Sequence, residues 1–208
     1  MSTALQLVPK PLTAENLHDL KELLSARRAL IKDRTATKAR KATALNALVK
    51  QQLEKRLRQI ENDIARIDAL MLDTAQQDSS MSERLGIVFS IPGIGVITAL
   101  MILVDMPEIS ALNNKAVASL AGLAPMSQCS GKWQGKAPIQ GGHPHLRNAI
   151  FMPALVAIRH NADLKAKYEQ LVAAGKEKKV AITAAMRKLF VLANALLRDS
   201  RKWTEKAA

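Results

Sequence analysis

The clearest pattern of hydrophobic positions in the chain is a seam that repeats at alternating intervals of four and three residues. Its members are Leu53, Leu57, Ile60, Ile64, Ile67 and Met71. This spacing is typical of a coiled coil or a long helical hairpin. An earlier helix, which Thr13 can cap, is predicted by apolar residues at Leu17, Leu20, Leu24 and Ile31. No Gly or Pro interrupts residues 14–81, but ordinary helix lengths favour two helices over one.

The seam is too short to determine how many chains assemble along it. A hairpin packed within one chain and a dimer built on the seam are both compatible with the pattern. A polar stretch at residues 76–82 is typical of a linker. We therefore expect a helical arm at residues 1–80 and a second domain at residues 81–208.

The second domain is predicted to be compact and helical. Its expected elements are short helices up to about Leu123, a Gly-rich loop from Pro125 to Pro144, a helix from about His145 to Asn161, a turn at Gly175 and a last helix to about Ser200. The core side of that last helix is marked by an apolar stripe of Ile182, Met186, Leu189, Leu192, Ala193 and Leu196.

An uncharged segment at residues 85–104 has the length of a membrane span. Its middle is interrupted by Ser90, Pro92, Gly93 and Gly95, and proline in particular breaks a helix. Two short buried helices around a tight turn explain the segment better than a span does, so no membrane span is expected.

The composition indicates a globular and mainly helical protein. Of the 208 residues, 48% are hydrophobic and 24% are charged. Aromatic residues make up only 3%, whereas strands are enriched in aromatic and β-branched residues. We therefore predict an all-α fold. The single cysteine, Cys129, excludes an internal disulfide and a Cys-based zinc site, and it fits a reducing cytoplasm.

The formal net charge of +13 indicates an anionic partner, with nucleic acid first and an anionic membrane surface second. Between Lys21 and Arg58 there are twelve Lys or Arg residues and three acidic residues. The densest basic run comprises Arg34, Lys38, Arg40 and Lys41. Such a run can be a solvated helix face, but together with the total charge it favours a face that contacts phosphates.

The turn Ile91-Pro92-Gly93-Ile94-Gly95, followed by an apolar helix, resembles a helix-hairpin-helix motif. Its glycines would let the backbone approach a phosphate, and the free N–H groups of the next helix would bind that anion. Contacts of this kind hold the DNA backbone without reading sequence. A plain tight turn between core helices is the alternative interpretation.

A Gly-rich segment without acidic residues supplies further candidates. No Asp or Glu occurs at residues 109–162, which suggests a surface that must not repel phosphate. Its candidate DNA-binding residues are Lys132, Lys136, Gly141, Gly142 and Arg147. Trp133 could stack on a base or sugar. The alternative is a basic loop with ordinary turn glycines.

Several short motifs follow one another in a specific order: Pro-Gly-Ile-Gly at 92–95, Gly-Leu-Ala-Pro at 122–125, Ser-Gly at 130–131, Gly-Gly at 141–142 and Leu-Arg at 146–147. In this order they resemble the C-terminal half of the IS110-type insertion-sequence transposases, which are related to the Piv-type DNA invertases. The resemblance runs from about Leu85 to Trp203. It extends back into the helical arm at Arg27-Arg28 and at residues 33–36.

The resemblance implies a recombinase that acts on DNA through a serine. Ser130, in the Ser-Gly element, matches the family serine that attacks a DNA phosphate and forms a covalent phosphoserine link, with Ser127 as the nearby alternative. The family also implies a divalent metal ion, held by four acidic residues of an N-terminal nuclease-like domain. A structural guide RNA that pairs with donor and target DNA is implied as a further partner.

The chain departs from the family because it has no cluster of four acidic residues. We therefore expect no cofactor in this chain itself, and a truncated transposase that is active only together with an acidic domain. A non-catalytic nucleic-acid-binding protein, which regulates a full-length transposase by mixed assembly, is the second hypothesis. A structural dimer built on the heptad seam is the third. The first two need DNA, and the first alone needs Ser130.

Overall fold

The apolar seam forms the inner side of a helical hairpin. The computed structural model describes residues 14–126, 129–130, 133–134 and 138–204, and the chain divides into two compact units, Met1–Ser82 and Glu83–Ala208. In the first unit, α1 (Ala14–Thr43) packs against α2 (Ala47–Gln77). The buried side chains include Leu20, Leu24, Leu57, Ile60, Ile64 and Met71. The seam is thus covered within one chain, as the hairpin interpretation predicts, and the dimer stays a prediction.

The hairpin turns at Asn46, without a glycine or a proline. The Asn46 Oδ1 atom accepts hydrogen bonds from the backbone N–H groups of Leu48 at 2.9 Å and Val49 at 3.3 Å. These bonds satisfy donors that the first turn of a helix leaves unpaired. Thr13, the residue predicted to cap α1, lies outside the described residues.

The predicted linker at residues 76–82 is wrong. α2 continues to Gln77, and α3 (Ser79–Phe89) begins two residues later. The Asp78 Oδ1 atom accepts a hydrogen bond of 2.9 Å from the Met81 N–H. The polar residues therefore cap a helix, as Asp and Ser commonly do, and do not form an extended connection.

The second unit is built around its last helix. α8 (Lys178–Arg198) packs against α5 (Asn114–Leu120), α6 (Pro144–His160) and α7 (Ala162–Ala173), and α6 also packs against α4 (Val96–Asp105). A short antiparallel hairpin, β1 (Cys129–Ser130) and β2 (Trp133–Gln134), lies between α5 and α6. The predicted all-α class is confirmed. The predicted stripe on α8 is also confirmed as core, since its buried members are Met186, Leu189, Ala193 and Leu196.

The uncharged segment at residues 85–104 folds as predicted, as the end of α3, a turn, and the short buried helix α4. Among the described residues, one helix, α8, is long and apolar enough to cross a membrane by length and composition alone. Half of that apolar window is buried inside the protein. A core helix of a globular unit has this same property.

A loop between α4 and α5 is held by Asn194 of α8. The buried Asn194 side chain accepts from the Ser110 N–H and donates to the Leu112 carbonyl, each at 2.9 Å. Ser110 has a φ of 105°, a conformation that costs free energy for a residue with a Cβ. Arg84 holds the same loop by donating to the carbonyls of Pro107 at 3.0 Å and Ile109 at 2.9 Å, and burial lowers the pKa of its guanidinium.

We expect Asn194→Ala to lower the free energy of unfolding of the second unit by about 2–3 kcal/mol, because it removes a buried side chain and leaves the part-buried Ser110 N–H and Leu112 carbonyl without their partner. Asn148→Ala, on the exposed surface of α6, is the matched control and should change it by less than about 0.5 kcal/mol. Urea unfolding followed by tryptophan fluorescence measures the difference. Equal losses in the two variants would contradict the assigned role of Asn194.

Candidate nucleic-acid interface

The Gly-rich loop is closed at its base by backbone contacts. Pro125 and Ile139 form an antiparallel bridge, and the Met126 N–H donates to the Pro138 carbonyl at 3.0 Å. Closer to α6, the His143 N–H donates to the Leu120 carbonyl at 2.8 Å. The chain therefore leaves and re-enters the helical core at one place, which is a base closed by hydrogen bonds.

Arg147 fastens both ends of this base. Its Nη1 atom donates to the Gly122 carbonyl at 3.0 Å and to the Gly141 carbonyl at 3.2 Å. Gly122, Gly141 and Gly142 all have φ between 56° and 73°, a region that favours glycine. A Cβ on Gly142 would lie 2.6 Å from the Ser119 carbonyl oxygen and still closer to the backbone of Leu120 and Gly122. The backbone of Gly122 thus packs against the backbones of Gly141 and Gly142. The role of Arg147 and of these glycines at phosphates stays a prediction.

Ser130 occupies the end of β1, opposite Trp133 of β2 in the antiparallel register. Cys129 pairs with Gln134 in the same ladder. Only Gly131 and Lys132 separate the two strands in sequence. The backbone of Ser130 therefore lies next to the point where the chain reverses direction. The side chains of these strands, together with Ser127, Lys132 and Lys136, lie outside the described residues.

The Pro-Gly turn packs against α6. Gly93 has a φ of 93°, and a Cβ there would lie 2.7 Å from the Pro153 carbonyl oxygen and 2.9 Å from the Ala157 nitrogen. Gly93 is therefore needed for the close packing of the turn on a helix, which supports the tight-turn interpretation. Pro92 is half-buried in the same turn. Gly95 is exposed, is the N-cap of α4 and has open space around it, and its contact with phosphate stays a prediction.

The basic run on α1 is partly neutralised within the hairpin. Lys41 pairs with Glu54 at 2.8 Å, and Lys38 lies 4.0 Å from Glu61. The Lys41 ammonium lowers the pKa of the Glu54 carboxyl through a hydrogen bond and its charge. Arg40 is exposed, and Arg34, six residues earlier on α1, is half-buried. Of the four predicted residues, Arg34 and Arg40 have no ion pair with the described residues.

The sequence did not single out the outer face of α2, where basic and amide side chains lie together. The basic and amide side chains that line a surface depression there are Gln51, Lys55, Arg58, Gln59, Asn62 and Arg66, and one carboxylate, Asp63, lies among them. Their spacing of three and four residues could have revealed this face, since it lies opposite the buried seam. Ammonium, guanidinium and amide groups together can bind phosphate and sugar oxygens.

Arg187 of α8 is a further feature that the sequence did not predict. It is half-buried on α8 and donates to the Leu123 carbonyl at 2.8 Å. Its Nε atom is buried and has no hydrogen-bond partner in the part of the chain that the structure describes. There was no clear signal for it in the sequence beyond its place directly after Met186 of the apolar stripe. Arg187 therefore holds the Gly-Leu-Ala-Pro segment at 122–125 through its hydrogen bond to the Leu123 carbonyl.

The side chains that the structure describes include no group of three or more His, Cys, Asp or Glu residues that could hold a metal ion. The divalent ion implied by the resemblance therefore has no fitting donor set among them, because such ions need several converging oxygen ligands. No chemical step can be assigned to a metal at these residues.

Comparison with known proteins agrees with the motif order. Residues 86–169 match the model of the transposase family IS116/IS110/IS902. The chain is 31% identical to the pilin gene-inverting protein of Moraxella bovis over 191 residues. These aligned residues make up 90% of this chain and 58% of that protein. It is 29% identical over 161 residues, 74% of this chain and 39% of the relative, to the insertion element IS900 uncharacterized 42 kDa protein of Mycobacterium paratuberculosis.

A third similar protein is the insertion element IS110 uncharacterized 43.6 kDa protein of Streptomyces coelicolor, with 31% identity over 115 residues, 54% of this chain and 28% of that protein. Of the Moraxella bovis relative, the chain spans 58% of the length. The matched residues include the Pro-Gly turn, the Gly-rich loop and α6. Through them, residues 86–169 resemble the transposase family IS116/IS110/IS902.

Proposed function

We propose that the chain binds DNA and takes part in DNA transposition or inversion, with Ser130 as the nucleophile that attacks a DNA phosphate. The observation that carries this proposal is the fixed base of the Gly-rich loop, which holds β1 and β2 within an acid-free segment. A nucleophile must be positioned rigidly to gain from proximity. The net charge of +13 supports an anionic substrate.

The proposed reaction conserves the energy of the phosphodiester bond. The Ser130 oxygen forms a bond to phosphorus, and the bond from phosphorus to one deoxyribose oxygen breaks. The serine proton passes to a base, and the leaving sugar oxygen takes up one proton. Because the phosphoserine ester replaces the broken ester, the reverse step with a different DNA end can rejoin the strands without an external energy source.

Further parts of the proposal concern the partners. Any divalent metal ion would be held by carboxylates other than those described here, in a separate domain or protein. A structural guide RNA would select the DNA target sequence by base pairing, while the protein contacts mainly the DNA backbone. The outer face of α2 and the exposed Arg40 are suited to such contacts. The site of action would be the cytoplasm, and the assembly would include a second copy of the chain or a full-length transposase.

We expect Ser130→Ala to abolish a covalent protein–DNA adduct while leaving DNA affinity within about twofold, because the hydroxyl is needed for bond formation and carries no net charge. The chain is incubated with duplex DNA from the ends of its own element, with Mg²⁺ and with an added acidic family domain. Adducts that resist detergent are then counted on a denaturing gel. Ser127→Ala is the matched control, since it removes a neighbouring serine hydroxyl.

Each outcome of this experiment assigns a role. An adduct lost in the Ser130 variant and kept in the Ser127 variant supports the proposal. An adduct lost only in the Ser127 variant moves the nucleophile to that residue. If the unmodified chain binds DNA tightly with a steep salt dependence but forms no adduct, the non-catalytic regulator is the better description.

A further inference from the structure

The turn of the α1–α2 hairpin exposes apolar side chains where a folded protein would ordinarily place polar ones. Leu45 is 94% exposed, Leu48 62% and Val49 43%. They lie together at one end of the first unit, in residues 44–49, which we call the hairpin tip. Single exposed apolar residues are common on proteins, but three at one tip form a surface that a partner can cover.

Hydrogen bonds hold the backbone on both sides of the hairpin tip. The Asn46 cap closes the start of α2, and the Ala44 N–H donates to the Arg40 carbonyl at 3.0 Å at the end of α1. The Thr43 hydroxyl donates to the same carbonyl at 3.2 Å. Leu45 thus projects from a turn whose backbone is fixed on both sides. Insertion of its side chain into a partner would cost little conformational entropy in the backbone.

The charges around the hairpin tip identify the partner. From residue 34 to residue 53 the chain has five Lys or Arg residues and no Asp or Glu. Arg40 and Lys50 are exposed, one on each helix, and each lies three residues from the turn. At 1.5 Å per residue this places them about 5 Å along their helices from it. Two such tips brought together would place like charges side by side, which argues against a second copy as the occupant.

An apolar wedge between flanking cations fits duplex DNA. Proteins that bend DNA insert Leu, Ile, Phe or Met between base steps and hold the phosphates on both sides with basic residues. We propose that the hairpin tip is such a wedge: Leu45 unstacks a base step, while Arg40 and Lys50 contact the adjoining phosphates. An anionic bilayer fits less well, because membrane-surface helices bury a long apolar face and not three side chains. The proposal rests on the DNA binding proposed above.

The test uses the full chain and a duplex that carries 2-aminopurine at a flexible TA step, where unstacking raises the fluorescence of the probe. We expect the unmodified chain to raise the fluorescence. Leu45→Ser should remove most of that rise and weaken binding about tenfold. The slope of affinity against salt should stay the same, because no charge is lost. Leu70→Ser, at a leucine that is 51% exposed on α2, is the matched control and should behave as the unmodified chain.

A second variant separates the wedge from the charges around it. Lys50→Gln should weaken binding and reduce the salt slope by about one, while the fluorescence rise at saturating protein is kept. A Leu45→Ser variant that binds and unstacks DNA normally would overturn the wedge. The wedge would also be overturned if Leu45→Ser changed only the oligomer mass measured by light scattering, or only the binding of phosphatidylglycerol vesicles. If the unmodified chain fails to bind any duplex, the proposed function itself fails, which this experiment distinguishes from failure of the wedge alone.

Discussion

Gly142→Ala is expected to lower the free energy of unfolding of the second unit by about 4 kcal/mol, or to prevent its folding. The backbone there has a φ of 56°, which disfavours a residue with a Cβ. The added methyl group would also lie 2.6 Å from the Ser119 carbonyl oxygen and closer still to two other backbone atoms. Backbone atoms cannot yield as the end of a flexible side chain can, so strain and overlap add together.

Gly141→Ala is the matched control for that variant. Gly141 has a similar φ of 73°, but nothing lies within 4 Å of the position of its Cβ. We therefore expect a loss of about 1 kcal/mol, from the left-handed conformation alone. Both tryptophans of the chain, Trp133 and Trp203, belong to the second unit. Urea unfolding followed by tryptophan fluorescence therefore reports on that unit, and similar losses for the two alanines would contradict the close packing at Gly142.

The elements that sequence predicted well are those whose periodicity follows from burial. The seam through Leu57 and Ile64, and the stripe through Leu189 and Ala193 on α8, are both buried. Apolar residues spaced every three or four positions fall on one side of an α-helix, whereas a strand would need them at every second position. The pattern therefore indicates a buried helix face. The division into two helices before residue 80 followed from ordinary helix length, although the reason for the break did not.

The breaks themselves depend on single hydrogen bonds that a pattern does not reveal. Asn46 and Asp78 each end a helical run by capping the next helix. Asn161 does the same for α7, a helix that was not predicted, by accepting from the Leu164 N–H at 3.1 Å. Asn and Asp are also common in turns and linkers. Only the geometry therefore distinguishes a capped junction from a linker.

The candidate site was harder to predict because its residue types serve two purposes equally well. An arginine donates to a backbone carbonyl as readily as to a phosphate oxygen, and Arg147 donates to two carbonyls. A glycine allows the close approach of a helix as well as of a nucleic acid, and Gly93 lies against α6. The contacts of Arg147 and Gly93 identify a supporting role, and their role at phosphates stays a prediction.

The supporting role of the Pro-Gly turn predicts different results for its two glycines. Gly93→Ala is expected to lower the free energy of unfolding by about 3–4 kcal/mol, because its Cβ would lie 2.7 Å from the Pro153 carbonyl oxygen at a φ of 93°. Gly95→Ala has open space and a φ of −74°. It should change stability by less than about 1 kcal/mol.

Gly95→Ala therefore also tests the helix-hairpin-helix interpretation in a folded protein. If the start of α4 binds a phosphate, the added methyl group should weaken binding of a duplex DNA several-fold, because it obstructs the approach of the phosphate to the backbone N–H groups. Unchanged affinity in a filter-binding measurement at fixed salt would limit the turn to a packing role. A Gly93→Ala variant as stable as the unmodified chain would contradict that packing role, since the overlap with α6 is what requires glycine there.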